Sequence, residues 1–205
     1  NASFKPPTAQ QALNVLENKA PANIVDLQAL IMDTMQDIQR HINGSNEDAY
    51  RAFWNEPKGK PSTPKWEESC RDALLPLLRH NLEKFGIHVE PEVHMVKDKR
   101  ADLVIFHKDL KMVFELKRVF HSELWTAANT QLDRLYTRDP NAQGYGIYGV
   151  FWYGDKHINK IKKHPDGLEK PNTPRKLCKM LVSQLTAEQK KRIAVFVLDV
   201  SEPSD

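Results

Sequence analysis

The stretch RADLVIFHKDLKMVFELKR, residues 100–118, decides the fold. It holds two runs rich in β-branched and aromatic residues, 101–107 and 111–119, with Asp109 in the turn between them. That pattern predicts a β-hairpin. Side chains alternate faces along a strand, so Glu115 and Lys117 share one face, and Phe114 and Leu116 share the other. A carboxylate and an ammonium side by side on an apolar strand are costly to bury unpaired. Taken alone they read equally as a structural ion pair, an exposed edge-strand face or a chemical site. Asp102, at the start of the preceding run, favours the site, because a hairpin brings it near Glu115 at the same end of the sheet. Two neighbouring carboxylates repel unless a cation lies between them. Hard oxygen ligands with open positions suit Mg²⁺, which keeps several waters and takes further oxygens from substrate phosphate. Lys117 beside such an ion would orient the attacking water and offset phosphate charge.

Working outward, residues 66–84 read as a helix, with Thr63 as its cap, Pro64 after it and an acidic first turn. Glu67, Cys70, Leu74, Leu78 and Leu82 recur at three- and four-residue steps on the face turned to the sheet. Glu67 therefore stands at the N-terminal edge of a buried stripe, either as a site residue or as a simple helix-end acid. Glu68, rotated by about 100°, is the substitute candidate. Gly86 ends the helix, and 87–96 adds a first strand before the hairpin. Further along come a helix over 122–136, a strand over 145–153, a helix over 175–184 and a strand over 193–200. The order is helix, three strands, helix, strand, helix, strand.

Upstream, residues 1–8 read as extended and 9–18 as a helix. Ile24, Leu27, Leu30, Ile31, Met35, Ile38 and Ile42 form one apolar helical stripe, and a short helix follows over 47–53. Three prolines and a glycine within 56–64 mark a boundary. The expected division is a helical segment 1–60 for docking or dimerisation, then a domain over 61–205.

The set of Glu67 on a first helix, Asp102 on one strand and Glu115-x-Lys117 on the next resembles the PD-(D/E)XK nuclease superfamily, and so does the αβββαβ order over residues 64–200. The resemblance implies an α/β, restriction-endonuclease-like core with a central mixed sheet flanked by helices. It implies hydrolysis of DNA phosphodiester bonds, of duplex DNA in the first instance, with Mg²⁺ or Mn²⁺. By the same likeness Asp102, Glu115 and the Leu116 carbonyl hold the metal, Lys117 serves the nucleophilic water, and Glu67 assists the metal. Ala101 stands where the family name has proline. Some members carry Q-x-x-x-Y on the following helix; here Gln131 and Tyr136 have four residues between them. Gln131 stays a candidate on the site-facing stripe, beside the alternative of a buried hydrogen-bonding amide. The segments at 99–102, 124–125 and 144–148 also look like nuclease domains attached to bacterial anti-phage defence proteins.

The chain has 205 residues, 40% of them hydrophobic, and 30 Lys and Arg against 27 Asp and Glu. That excess is too small to argue nucleic-acid binding by itself. Two local basic stretches are Lys97 to Arg100 and the segment with Lys156, Lys160, Lys162, Lys163 and His164. No apolar run approaches the roughly 18 residues of a membrane span. Cys70 and Cys178 lack the spacing of a zinc cluster, and free thiols suggest the cytoplasm. The first residue is Asn1, read as the start of a fragment whose partners are a second copy or missing regulatory domains of the same chain. Gly144-x-Gly146-x-x-Gly149 matches a dinucleotide fingerprint literally, but it opens a strand rather than a helix; close backbone packing is the expected role. Trp125, Trp152 and Tyr153 are expected in the core. The alternative to a nuclease is a catalytically inactive module of the same fold that binds nucleic acid or a partner protein.

Overall fold

The computed structural model describes residues 20–44, 47–95, 99–137 and 139–203. The expected elements over 1–18 and the first two residues of the basic stretch at 97–100 lie outside them. Helix α1 (Ile24–Gly44) is followed by two-residue strands β1 (Trp54–Asn55) and β2 (Thr63–Pro64) and helix α2 (Glu67–Leu82). Then come β3 (His88–Met95), β4 (Lys99–His107), β5 (Leu110–Arg118), a π-helix (Ala128–Tyr136), β6 (Gly146–Trp152), α3 (Pro174–Ser183), the single-turn α4 (Ala187–Lys190) and β7 (Ile193–Asp199). The element order from α2 onward is the one expected.

The large sheet runs β3-β4-β5-β6-β7. β3, β4 and β5 pair antiparallel, while β5, β6 and β7 are parallel. A short turn at 108–109 joins β4 to β5, and the parallel pairs need crossovers, which carry the π-helix and α3. All seven residues of β6 are buried, as a central parallel strand covered on both faces requires. On one face Phe151 meets Phe53 at 5.6 Å between ring centroids, and the Tyr153 hydroxyl lies 2.9 Å from Cys70 Sγ on α2. On the other, Tyr148 donates to the Leu124 carbonyl at 2.8 Å. The chain is thus a mixed α/β fold whose five-stranded sheet is flanked by helices.

The glycines of the rejected fingerprint admit close packing. A Cβ on Gly149 would come within 2.6 Å of the Phe114 ring and 2.8 Å of Leu116; one on Gly146 would come within 2.8 Å of Leu132. Without a side chain, Gly149 leaves the room that the Phe114 ring and Leu116 fill on this face.

Two expectations change. Thr63 does not cap α2: it pairs with Asn55 in the β1–β2 ladder, and its hydroxyl accepts from Asn55 Nδ2 at 3.2 Å. The helix starts at Glu67 with Trp66 as its N-cap and no side-chain cap bond. The second change concerns α1. Its stripe, read as a docking surface, is covered within the chain: Leu27, Ile31, Met35, Ile38 and Ile42 are all at most 2% exposed and belong to the same core as the sheet. Gln28 Nε2 donates to the Gly146 and Arg192 carbonyls, and Gln39 bonds the Asp199 backbone in both directions. The Trp54 indole reaches the Val200 carbonyl at 2.7 Å. The proline-rich stretch after residue 55 changes the composition without interrupting the packing. Among the described residues no helix is long and apolar enough to cross a membrane.

If α1 is part of the common core, Ile31→Ala should lower global stability by about 2–5 kcal/mol, the usual cost of emptying a buried aliphatic site. Urea unfolding followed by far-UV circular dichroism checks this, and a variant as stable as the parent would place α1 outside the cooperative unit.

Candidate active site

The β4/β5 ladder pairs Leu103 with Phe114. One step further in that register Asp102 comes opposite Glu115, and there a side chain takes over the ladder: the Leu116 N–H donates to Asp102 Oδ2 at 2.7 Å. Glu115 is 2% exposed and Lys117 5%. Lys117 Nζ lies 2.6 Å from Glu115 Oε1 and 3.2 Å from Glu67 Oε1. The other Glu67 oxygen accepts the Arg118 N–H at 3.0 Å, so the first residue of α2 grips the end of β5 with both oxygens. The structure therefore brings together Glu67, Asp102, Glu115 and Lys117.

Gln131 is not brought onto them. Its amide donates to Glu123 Oε2 at 2.6 Å, as a hydrogen-bonding amide in a partly buried place. Gln131 lies in the π-helix, whose backbone bonds close on the fifth residue. Glu68 lines the same cleft as Glu67 but faces solvent. Trp125, Trp152 and Tyr153 are buried, as expected.

Burial, and then the charge of Asp102, push the Glu115 carboxyl up to about 8 in spite of Lys117. Burial also raises Asp102, against the pull of Lys117 and the Leu116 N–H. For Lys117 burial acts downward, but Glu115, Asp102 and Glu67 outweigh it and hold the ammonium above the usual lysine range. Tyr148, beside Glu115 in the β5/β6 register, offers it no proton, since its hydroxyl is bonded to the Leu124 carbonyl.

A cleft of about 500 Å³ opens over this group, with Asp102 and Glu67 in its wall beside Trp66, Arg71, Arg118 and His121. Arg71 is 8% exposed and is held by Glu92 at 2.8 Å and by Asp72. The Arg118 guanidinium donates to the Lys65 carbonyl at 3.2 Å and lies over the rings of Trp66 and Phe120. Sequence reasoning passed over these residues. The available signals were that Arg71 follows Glu67 by one helical turn and that Arg118 directly follows Lys117. Beyond Phe120 stands the loop after β6, through a ring contact with His157 at 6.2 Å; it carries the exposed Lys156, Lys160, Lys162 and Lys163. His164 is buried against the edge of Trp125. A second cavity, of about 530 Å³ between α1, the start of α3 and β7, contains none of the expected site residues.

Among the described residues no group of three or more His, Cys, Asp or Glu side chains is arranged to hold a metal ion by itself. Asp102 and Glu115 make a pair, and Glu67 is turned to Lys117 and Arg118. The pair still fits a divalent cation in its chemistry: both are hard oxygen donors, both resist ionising next to each other, and one ammonium serves three carboxylates. Such an ion would draw its remaining ligands from backbone carbonyl, water and substrate, as Mg²⁺ does.

A raised carboxyl pKa means that the folded chain binds the Glu115 proton more tightly than the unfolded chain. That contribution is complete below the ordinary value of 4.5 and is lost as pH rises toward about 8. The metal-free protein should accordingly lose thermal stability between pH 5.5 and 8.5, and Glu115→Gln should flatten that slope. Melting curves across this range decide it; an equal slope in both proteins would show that Glu115 is not the group responsible.

No curated protein and no solved structure matches the chain. One family model does match, over residues 27–155. The match runs from α1 to just past β6 and includes Glu67, Asp102, Glu115, Lys117 and Gln131. Since it covers more than half of the sequence, the chain belongs to the family described as a domain of unknown function (DUF8371).

Proposed function

We propose that this chain is a divalent-metal-dependent endonuclease that hydrolyses DNA phosphodiester bonds, with a restriction-endonuclease-like arrangement of its core. The reading rests on one observation: Asp102 and Glu115 stand opposite each other on adjacent strands, with the Lys117 ammonium on Glu115 and Glu67 behind it. Asp102, Glu115 and the Leu116 carbonyl would hold Mg²⁺ or Mn²⁺. When bound, the ion supplies a Lewis acid for a phosphoryl oxygen and a water of lowered pKa.

The chain's own groups divide the remaining work. Lys117, held above the usual lysine range in the metal-free chain by Glu115, Asp102 and Glu67, is placed as a positive charge that orients water and offsets charge on phosphorus. Glu67 fixes that ammonium and ties it to the end of β5. Arg71 and Arg118 flank the cleft as cations for the phosphodiester. In-line attack of water on phosphorus breaks the bond to the 3′ oxygen, leaving a 3′-hydroxyl and a 5′-phosphate. The proton lost from the water balances the one gained by the leaving oxygen, through solvent.

A second reading has an observation in its favour. Lys117 already bridges Glu115 and Glu67, which is also what a purely structural ion-pair network does. On that reading the chain is an inactive module that binds nucleic acid or a partner protein.

Incubation of the purified chain with supercoiled plasmid, linear duplex, single-stranded DNA and RNA, in Mg²⁺, Mn²⁺ or EDTA, separates the two. Cleavage is expected with metal only. Asp102→Ala, Glu115→Ala and Lys117→Ala should each lower it by about 100-fold or more while circular dichroism shows a folded protein. A variant that cuts at the parental rate removes that residue from the mechanism. Binding without cleavage in every metal selects the inactive module.

A further inference from the structure

Trp66 is 74% exposed, whereas Trp54, Trp125 and Trp152 are at most 6% exposed. Its backbone is fixed as the N-cap of α2, and its carbonyl accepts the Cys70 N–H at 3.0 Å. The indole lies at the wall of the cleft, one residue before Glu67. The Arg118 guanidinium lies over its ring at 5.2 Å from the centroid and also over Phe120 at 4.9 Å. The Lys65 carbonyl and the Arg118 N–H bond to Glu67 hold that arginine in place. The result is an exposed indole with a fixed guanidinium over its ring, in the cleft wall with Glu67 and Asp102.

We infer that Trp66 is a stacking subsite for an unpaired nucleobase, so that the substrate is nucleic acid with single-stranded character next to the bond that is cut. This rests on the nuclease reading of the same cleft. An exposed indole backed by a guanidinium continues its stack with another flat π-system, and every base has a π-face to offer. In a duplex both faces of a base are covered by its neighbours, so only an unpaired or extruded base can lie flat on the ring. The setting speaks against an apolar protein contact. The other exposed large hydrophobics, Val25 and Leu168, do not line this cleft, while Arg118 does and suits a phosphate backbone.

The test measures binding of the full chain in EDTA, where nothing is cut. Three labelled probes of one length are used: a single-stranded oligonucleotide, its duplex, and the single strand with one abasic position moved along it. Because the other described tryptophans are buried, quenching of the intrinsic fluorescence reports mainly on Trp66. The expected result is saturable quenching by the single strand, with a loss of roughly 10-fold or more in its affinity for Trp66→Ala, the range of one base–aromatic stack. Trp66→Phe should recover most of that affinity, and one abasic position should mimic the alanine variant. Duplex affinity should change little. The subsite is overturned if Trp66→Ala binds the single strand as the parent does, or weakens single strand and duplex alike. A parent chain that shows the Trp66-dependent binding yet cuts nothing in Mg²⁺ or Mn²⁺ sinks the hydrolase reading and leaves the subsite standing.

Discussion

The ammonium of Lys117, buried between Glu115 and Glu67, is the contact on which the site depends. It lies on a central strand of the sheet and on no helix, yet its second partner comes from the first turn of α2. The pair thereby fixes where α2 begins relative to the end of β5, and the Glu67 bond to the Arg118 N–H repeats the constraint on the backbone. Removing the ammonium would leave Glu115 almost fully buried beside Asp102 with no counter-charge, a costly arrangement. Replacing a whole buried ion pair with hydrocarbon is often neutral or stabilising. Packing alone therefore gives no reason for this strand to carry charge here.

The scaffold keeps that charge under tension. Glu115 has Asp102 across β4 and Tyr148 across β6, and neither relieves it. Asp102 carries like charge and is bonded to the Leu116 N–H, and the Tyr148 hydroxyl is turned to Leu124. The counter-charge to Glu115 is Lys117, at 2.6 Å. The parallel register of β5 and β6 sets Tyr148 beside Glu115, while on the other face Gly149 leaves room for Phe114 and Leu116.

Much of this was written in local sequence. Alternation put Glu115 and Lys117 on one face, and the two-run pattern with its short turn brought Asp102 to them. The antiparallel-then-parallel sheet followed from where helices interrupt the strands. Other features were not legible, each for a tertiary reason. The stripe from Ile24 to Ile42 shows that α1 has an apolar face, but periodicity cannot say whether the sheet or a second molecule covers it. Thr63 had the chemistry of a cap until strand pairing with Asn55 claimed it. Apolar steps of three and four do not distinguish an α-helix from the π-helix over Ala128–Tyr136, so the direction of Gln131 toward Glu123 was hidden. Trp66 looked like any helix-start residue, because exposure of its ring depends on what does not pack on it.

The cleft joins two opposite electrostatic demands. Its wall carries the acidic side chains of Glu67, Glu68, Glu92 and Asp102 beside Arg71 and Arg118, and the acids repel a polyanion. A substrate of this charge can enter only if cations offset those acids before chemistry begins. In the proposed nuclease a divalent ion on Asp102 and Glu115 would meet that need, and the chain supplies the rim itself. Arg71 and Arg118 border the opening, the Arg118 Nε is buried with no hydrogen-bond partner, and the lysines after β6 stand beyond Phe120. Screening acts strongly on exposed charges such as these lysines and much less on the buried pair. Salt should therefore weaken capture of the substrate at the rim far more than it disturbs the arrangement of Asp102, Glu115 and Lys117 beneath it.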